Sequence, residues 1–280
     1  MIAITAAGGN VGRHLAGMLG TAGTPARLLV RERANTGTFG GTLEAVEADL
    51  DRPEALDAAL AGITQLFLLS PGPNTPAQDA AAITAAQRAG VQHIVLLSSL
   101  GVEVGGVGGG RPHAPGERLL TDSGLGWTIL RPSEFMSNTR GWLPEIAARG
   151  TVSVPSGDGK VGYVDPADIA AVAFAALTSP GHAGKTYRLT GPEALSIAEV
   201  AAQIGAVLGN AVQHLDVSDA VFRTGVEGAH MPEPMIGTLS EYYGAVKEGR
   251  MAILAPDVEQ VTGRRAGTFA DWARANLAPA

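Results

Sequence analysis

The sequence predicts an α/β protein, a doubly wound parallel sheet carrying a smaller, mostly helical C-terminal lobe. Three observations lead there. Short, continuously apolar runs alternate with alanine-rich helical stretches through the first half of the chain, as expected of strands buried on both faces. The first run ends in a tight glycine turn that opens a helix, and the second ends at Arg31, the order of a βαβ unit. After about residue 131 the alternation gives way to longer helical stretches separated by short extended pieces.

Strands are expected at residues 2–5, 26–30, 43–47, 65–70, 93–98 and 127–130, with helices between them near 12–19, 53–61, 75–89 and 114–123. Six strands connected in this way give a Rossmann-like sheet. The second half predicts extended pieces at 151–154 and 186–190 and helices near 166–177, 197–208, 218–227, 234–248 and 269–276. Asp165 and Asp168 read as caps of the helix that Pro166 opens. The organisation expected is a dinucleotide-binding domain over residues 1–130 and a substrate-binding lobe over 131–280, partly returning to the sheet through 185–190. The glycine-rich segment 101–110 follows the fifth strand and reads either as a mobile lid or as a plain loop.

Composition narrows the function. The 280 residues are 45% apolar, enough for a substantial core. The net charge of −7 and the lack of any basic run leave no footprint for nucleic acid or acidic lipid. There is no cysteine, so disulfides and thiolate metal sites are excluded, and the histidines show no ligand spacing. No apolar stretch approaches the roughly 20 residues needed to span a bilayer. A cytoplasmic protein acting on a small molecule is expected, with no metal, no nucleic acid and no membrane partner, and with room for a homodimer.

The turn after the first strand carries the most chemistry. Backbone N–H groups at a helix start must approach a pyrophosphate whose charge the helix dipole favours. Ala6, Gly8, Gly9, Asn10 and Val11 are the candidates for that contact, and side chains at Gly9 or Gly12 would obstruct it. The pattern is Ala-x-x-Gly-x-x-Gly, and alanine at the first place would be strained wherever the turn needs a positive φ. Arg31 closes the second strand, where an arginine accommodates a 2′-phosphate and a carboxylate would hold a 2′-hydroxyl. With Arg33 two residues on, NADP(H) is expected over NAD(H), unless both arginines are only solvated charges. Asp49 and Leu50 stand where an adenine would lie, although Asp49 reads equally well as a turn cap. The remaining candidates follow the other strands, since ligands in open α/β sheets sit beyond the carboxyl ends. They are Ser70 and Pro71, Ser98 and Ser99, and the run Arg131-Pro132-Ser133-Glu134-Phe135.

Taken together, these segments resemble the NmrA-like atypical short-chain dehydrogenases, and within them the bacterial NAD(P)H:quinone oxidoreductases, over nearly the whole length. The resemblance is carried by residues 5–12, Arg31, Asp49-Leu50, Leu97-Ser98-Ser99, His113-x-x-x-Glu117, 123–132, 135–138, 164–169, 184–192 and 261–263. It implies that His113 and Glu117 stand where ordinary short-chain dehydrogenases place Tyr-x-x-x-Lys, and the chain is read as lacking that pair. The implied catalytic set is His113, Ser99 and Glu117, with hydride passing to a quinone-like acceptor, enone or imine. His113 could supply a proton, since an unperturbed imidazole titrates near neutrality. One helical turn separates it from Glu117, so both could face one side, although Pro115 and Gly116 put the helix itself in question. The resemblance also implies that Phe135, Asn138 and Trp142 shape the nicotinamide and substrate pocket. Lys160 could reach it from a turn or simply belong to a hairpin, and Tyr242, Tyr243 and Val246 read as core or as a partner surface. A different reading is a regulator that binds NADP(H) without consuming it and reports redox state to a protein partner.

Overall fold

The computed structural model describes residues 1–31, 41–72, 74–228 and 231–278. Its strands are β1 (Ile2–Ile4), β2 (Ala26–Val30), β3 (Leu43–Glu47), β4 (Gln65–Leu68), β5 (His93–Leu97), β6 (Gly126–Pro132), β7 (Thr151–Ser153), β8 (Lys160–Val161), β9 (Lys185–Leu189), β10 (Leu195–Ser196) and β11 (Gln213–Leu215). Seven of them form one parallel sheet in the order β3-β2-β1-β4-β5-β6-β9. The expected doubly wound fold is present, and β9 extends it at the edge. The chain reverses direction across the sheet between β1 and β4, which opens a crevice beyond their carboxyl ends.

The apolar runs are continuous because both faces of the sheet are covered, and successive side chains point to opposite faces. Ile2, Ile4, Phe67, Val95 and Leu97 pack on one side, with α1 (Gly12–Thr21), α6 (Pro166–Thr178) and α10 (Asp257–Thr262). Ala3, Leu66, Leu68, Ile94 and Leu96 pack on the other, under α2 (Leu56–Leu60), α3 (Thr75–Ala89) and α4 (Gly110–Asp122). A third core holds the lobe together: residues from α5 (Leu143–Arg149), α7 (Ile197–Leu208), α8 (Asp219–Gly228), α9 (Glu233–Lys247) and α11 (Phe269–Leu277) close around Val152, Val161 and Tyr163.

Several expectations are corrected. The helix predicted from 114 begins at Gly110 and runs unbroken through Pro115 and Gly116. Pro112 falls in the first turn, where no N–H is needed, so only Pro115 forgoes an intrahelical bond. Gly116 is required by packing, because a Cβ there would stand 2.1 Å from Asp79 Oδ2 on α3. The glycine-rich segment is a short 3-10 helix, Leu100–Val102, followed by turns that lead into α4. A Cβ on Gly101 would lie 2.2 Å from the Val107 carbonyl oxygen, and one on Gly110 would lie 2.1 Å from the Gly101 carbonyl carbon. Gly101 and Gly110 thus serve close backbone approach at the entry to α4, while Gly105, Gly106 and Gly108 supply positive φ in the turns between them. The stretch 53–61 is a 3-10 turn, Pro53–Ala55, followed by the short α2. The extended piece expected at 151–154 is β7, which pairs with β11, whereas β8, β10 and β11 are too short to leave a periodic signal.

Candidate active site

Two adjoining cavities open at the carboxyl edge of the sheet. The first, about 420 Å³, is lined by residues 5–9, Leu29, Val30, Arg31, residues 48–51, Pro71 and Gln78. The second, about 450 Å³, is lined by Asn10, Val11, Leu69, Ser98, Ser99, Gly108, Gly109, His113, residues 132–135, Asn138, Thr238, Leu239 and Tyr242. They adjoin at the β1–α1 turn, where Gly9 faces one and Asn10 the other.

The turn is built as its glycines require. A Cβ on Gly12 would lie 2.2 Å from the Ala6 carbonyl oxygen, and one on Gly9 would lie 3.2 Å from it. Ala6 has φ of +49°, the one positive value on a non-glycine among the described residues, so the anticipated strain is present. Thr5 Oγ1 donates to the Leu69 carbonyl (2.9 Å) and accepts from the Leu69 amide (2.7 Å), tying the ends of β1 and β4 together beneath the turn. Helix α1 opens with no side-chain cap and no acidic residue in its first turn. Its amides and dipole are left to an anion.

Around the first cavity, Arg31 is exposed at the end of β2. Glu32 and Arg33 lie outside the described residues. Asp49 does both things the sequence left open: it lines the cavity, and its Oδ1 accepts from the Asp51 amide (3.1 Å). Pro71 and Leu50 line the cavity, but Ser70 does not. Its hydroxyl turns inward to Asp79 Oδ1 at 2.6 Å. Burial pushes the Asp79 carboxyl up to about 6, against the hydrogen bond from Ser70, and Asp79 Oδ2 has no partner.

The second cavity gathers Ser98, Ser99, His113, Pro132 and Phe135. Ser99 Oγ accepts from the Gly101 amide (3.1 Å), which leaves its own proton free to donate. His113 Nδ1 is buried without a partner. Burial lowers the imidazole pKa, with the charge of Glu117 opposing, so the ring is neutral at pH 7.

Glu117 does not share the cavity with His113, contrary to the expectation that both face it. It is 6% exposed and turned into the wall, where Oε1 accepts from Ser98 Oγ (2.5 Å) and Arg131 grips both oxygens at 3.0 and 2.6 Å. Trp142 packs in the lobe core, and Lys160 pairs with Glu199 at 3.1 Å on the surface. Asp165 caps α6 through the Ala167 amide (2.8 Å). Asp168 instead anchors the distant Gly267 amide (2.7 Å) and Arg264.

Tyr242 was read as core or partner surface, yet it lines the cavity. Its neighbour bears on a further correction. A Tyr-x-x-x-Lys spacing does occur, at Tyr243 and Lys247, but in α9: Tyr243 packs edge-on against Phe222, and Lys247 pairs with Asp216 at 3.3 Å. Neither residue lines either cavity. Gln78 and Thr238 also line the site and carry no sequence signal, because each is one polar residue on an otherwise ordinary helix.

A crevice that meets an uncapped helix start, an arginine closing β2 and a second cavity beside it define a dinucleotide-dependent redox scaffold. The chain belongs to the NAD(P)H-binding family, whose profile matches residues 6–180. It is 39% identical to (4-alkanoyl-5-oxo-2,5-dihydrofuran-3-yl)methyl phosphate reductase of Streptomyces griseus, over 97% of this chain and 96% of that protein. It is 35% identical to the NAD(P)H azoreductase of Xenophilus azovorans, over 99% and 98%. The NADPH complex of an NADPH-dependent quinone oxidoreductase from Escherichia coli superposes with a TM-score of 0.90 at 27% identity, covering 99% and 100% of the two chains. The resemblance to NmrA-like short-chain dehydrogenases is borne out, and the protein is an NAD(P)H-dependent oxidoreductase.

The residues present fit that cofactor. The cradle that any Cβ at Gly12 would fill, together with the uncapped start of α1, suits a pyrophosphate. No helix among the described residues is long and apolar enough to cross a membrane.

Proposed function

We propose that the protein is an NADPH-dependent reductase of quinone-like or other conjugated small molecules, and the observation that carries the reading is the second cavity. It abuts the cofactor turn, offers a neutral histidine and a free serine proton, and sets an apolar wall of Val11, Leu69, Pro132, Phe135 and Leu239 beside polar residues that include Glu134 and Tyr242. That is a slot for a flat apolar acceptor with one carbonyl or imine to hold.

Bound NADPH supplies the hydride. The β1–α1 turn holds the pyrophosphate, Arg31 pairs with the 2′-phosphate, and Asp49 and Leu50 border the adenine. Pro71, Ser98, Pro132 and Phe135 border the nicotinamide half. Ser99 and His113 donate hydrogen bonds to the acceptor atom that gains negative charge as hydride arrives. With the ring neutral, the final proton comes from solvent or through the His113 imidazole. Glu117 acts only by holding Ser98 and Arg131. The phosphate named in the Streptomyces relative's substrate is not carried over, because the described lining of the cavity contains no lysine or arginine. An acceptor cavity of this kind favours turnover over mere sensing. The reading is of one chain acting on its own acceptor, in the cytoplasm, with a homodimer compatible.

The test follows reduced-nicotinamide absorbance with NADPH and NADH against quinones, enones and cyclic imines. Acceptor-dependent oxidation that favours NADPH is expected; saturable NADPH binding with no turnover of any acceptor would refute the reading. Arg31→Ala should weaken NADPH relative to NADH by about 1–3 kcal/mol. An equal loss for both would remove Arg31 from the 2′-phosphate.

A further inference from the structure

Two buried polar atoms without a partner, His113 Nδ1 and Ser133 Oγ, belong to residues that line the second cavity, and the Tyr242 hydroxyl beside them is engaged by the Glu134 carboxyl. Buried polar atoms are normally paired, so an unpartnered imidazole nitrogen and an unpartnered hydroxyl on residues of one cavity wall point to a polar ligand there. Serine and tyrosine lie away from the Ser99–His113 pair in sequence, on the β6 end and on α9. Between them stands Glu134, the one carboxylate among the lining residues.

Glu134 is unusual in what surrounds it. Its Oε1 accepts from Asn138 Nδ2 at 2.6 Å, and no described lysine or arginine forms an ion pair with it. The titratable groups facing it are the hydroxyls of Tyr163, Tyr242 and Tyr243, all neutral. Arg131 is engaged by Glu117 and Glu103, Arg111 by Glu241, and Arg140 stacks on Trp272. The cavity therefore carries a carboxylate with no compensating cation, and burial raises its pKa accordingly.

We propose that Glu134 is the specificity-determining residue of the acceptor cavity: with Ser133 it selects acceptors that are neutral or cationic and present an N–H or O–H donor, and it rejects anionic ones. An ionised Glu134 repels a sulfonate, carboxylate or phosphate placed in the cavity, with no neighbouring cation to offset the repulsion. A protonated Glu134 keeps a carbonyl oxygen that accepts, so an N–H or O–H of the acceptor is read by hydrogen bonding in either state, while rejection of anions belongs to the ionised state. The inference rests on the acceptor occupying this cavity, as the proposed function has it.

The experiment measures equilibrium binding by calorimetry to protein saturated with NADP⁺, so that it does not depend on turnover. The probes are 1,2-naphthoquinone, its 4-sulfonate and a 4-aminoalkyl derivative. Affinity should rise from sulfonate to parent to amine, with at least about tenfold between the first two. Glu134→Gln should bring the sulfonate within about threefold of the parent, while NADP⁺ affinity stays unchanged and shows that the fold is intact. Tyr242→Phe, which keeps the charge, should preserve the sulfonate discrimination. Equal affinities in the wild type, no binding of any probe, or an unaltered ratio in Glu134→Gln overturns the proposal. Failure of the reductase reading would show itself differently, as ordered binding of the three probes without NADPH oxidation.

Discussion

The two cavities are neighbours, yet they are made in opposite ways. The cofactor end draws on one local piece of chain, the turn from Thr5 to Gly12, and adds the ends of the next strands. Its fit is set by backbone, through the glycines that let α1 approach the Ala6 carbonyl. The acceptor end is assembled from positions between Asn10 and Tyr242, and its character comes from side chains on the ends of β5 and β6, on α4 and on α9. A backbone-made site tolerates varied surroundings and can be shared across a family, whereas a side-chain-made site can change substrate with a few substitutions.

The comparison can be broken or sharpened by substitution. Glu117→Gln should have the largest effect, because it leaves Arg131 partly uncompensated in the wall behind Ser98; a loss of about 3–5 kcal/mol is expected, read from urea unfolding. If the folded variant turns over normally, Glu117 is a wall residue, and a full loss of activity at unchanged stability would restore it to the chemistry.

His113→Ala should lower kcat about 10²-fold with NADPH affinity kept, which would separate the acceptor end from the cofactor end in steady-state kinetics. An unchanged kcat would take His113 out of the mechanism.

Asp79→Asn tests the buried group behind Ser70. The native carboxyl at about 6 lies above its ordinary 3.8, so its neutral form is favoured in the fold. That contribution is fully present below the ordinary value and is lost as pH rises through about 6. The asparagine variant should thus exceed the wild type in stability by about 1–3 kcal/mol at pH 8. The gap should close towards pH 4, and a gap independent of pH would reject the assignment.

Ala6→Gly should have the smallest effect. Relief of the positive φ is worth about 1–2 kcal/mol and is offset by the greater freedom of glycine in the unfolded chain. A net gain of about 0.5–1 kcal/mol in the denaturant midpoint is expected; no gain would mean that the turn carries no strain.

The sequence by itself determined the sheet, the cofactor turn and the end of each central strand. These are local or periodic features: apolar runs that must be buried on both faces, a glycine spacing that one backbone conformation requires, and Asp165 before Pro166 as a helix start. Gly12 at the turn and Arg31 at the end of β2 could be placed for that reason. What only the tertiary structure decided is which way a side chain turns. Ser70 and Glu117 sit at the right places in the chain but face the interior, where Asp79 and Arg131 take up their hydrogen bonds. Tyr242, hidden in an ordinary amphipathic helix, reaches the cavity because α9 and the end of β6 both line it. A helix crossing is set by contacts between residues more than a hundred positions apart, such as Arg111 with Glu241. Local pattern carries no record of such partners, so the acceptor end had to be found in three dimensions.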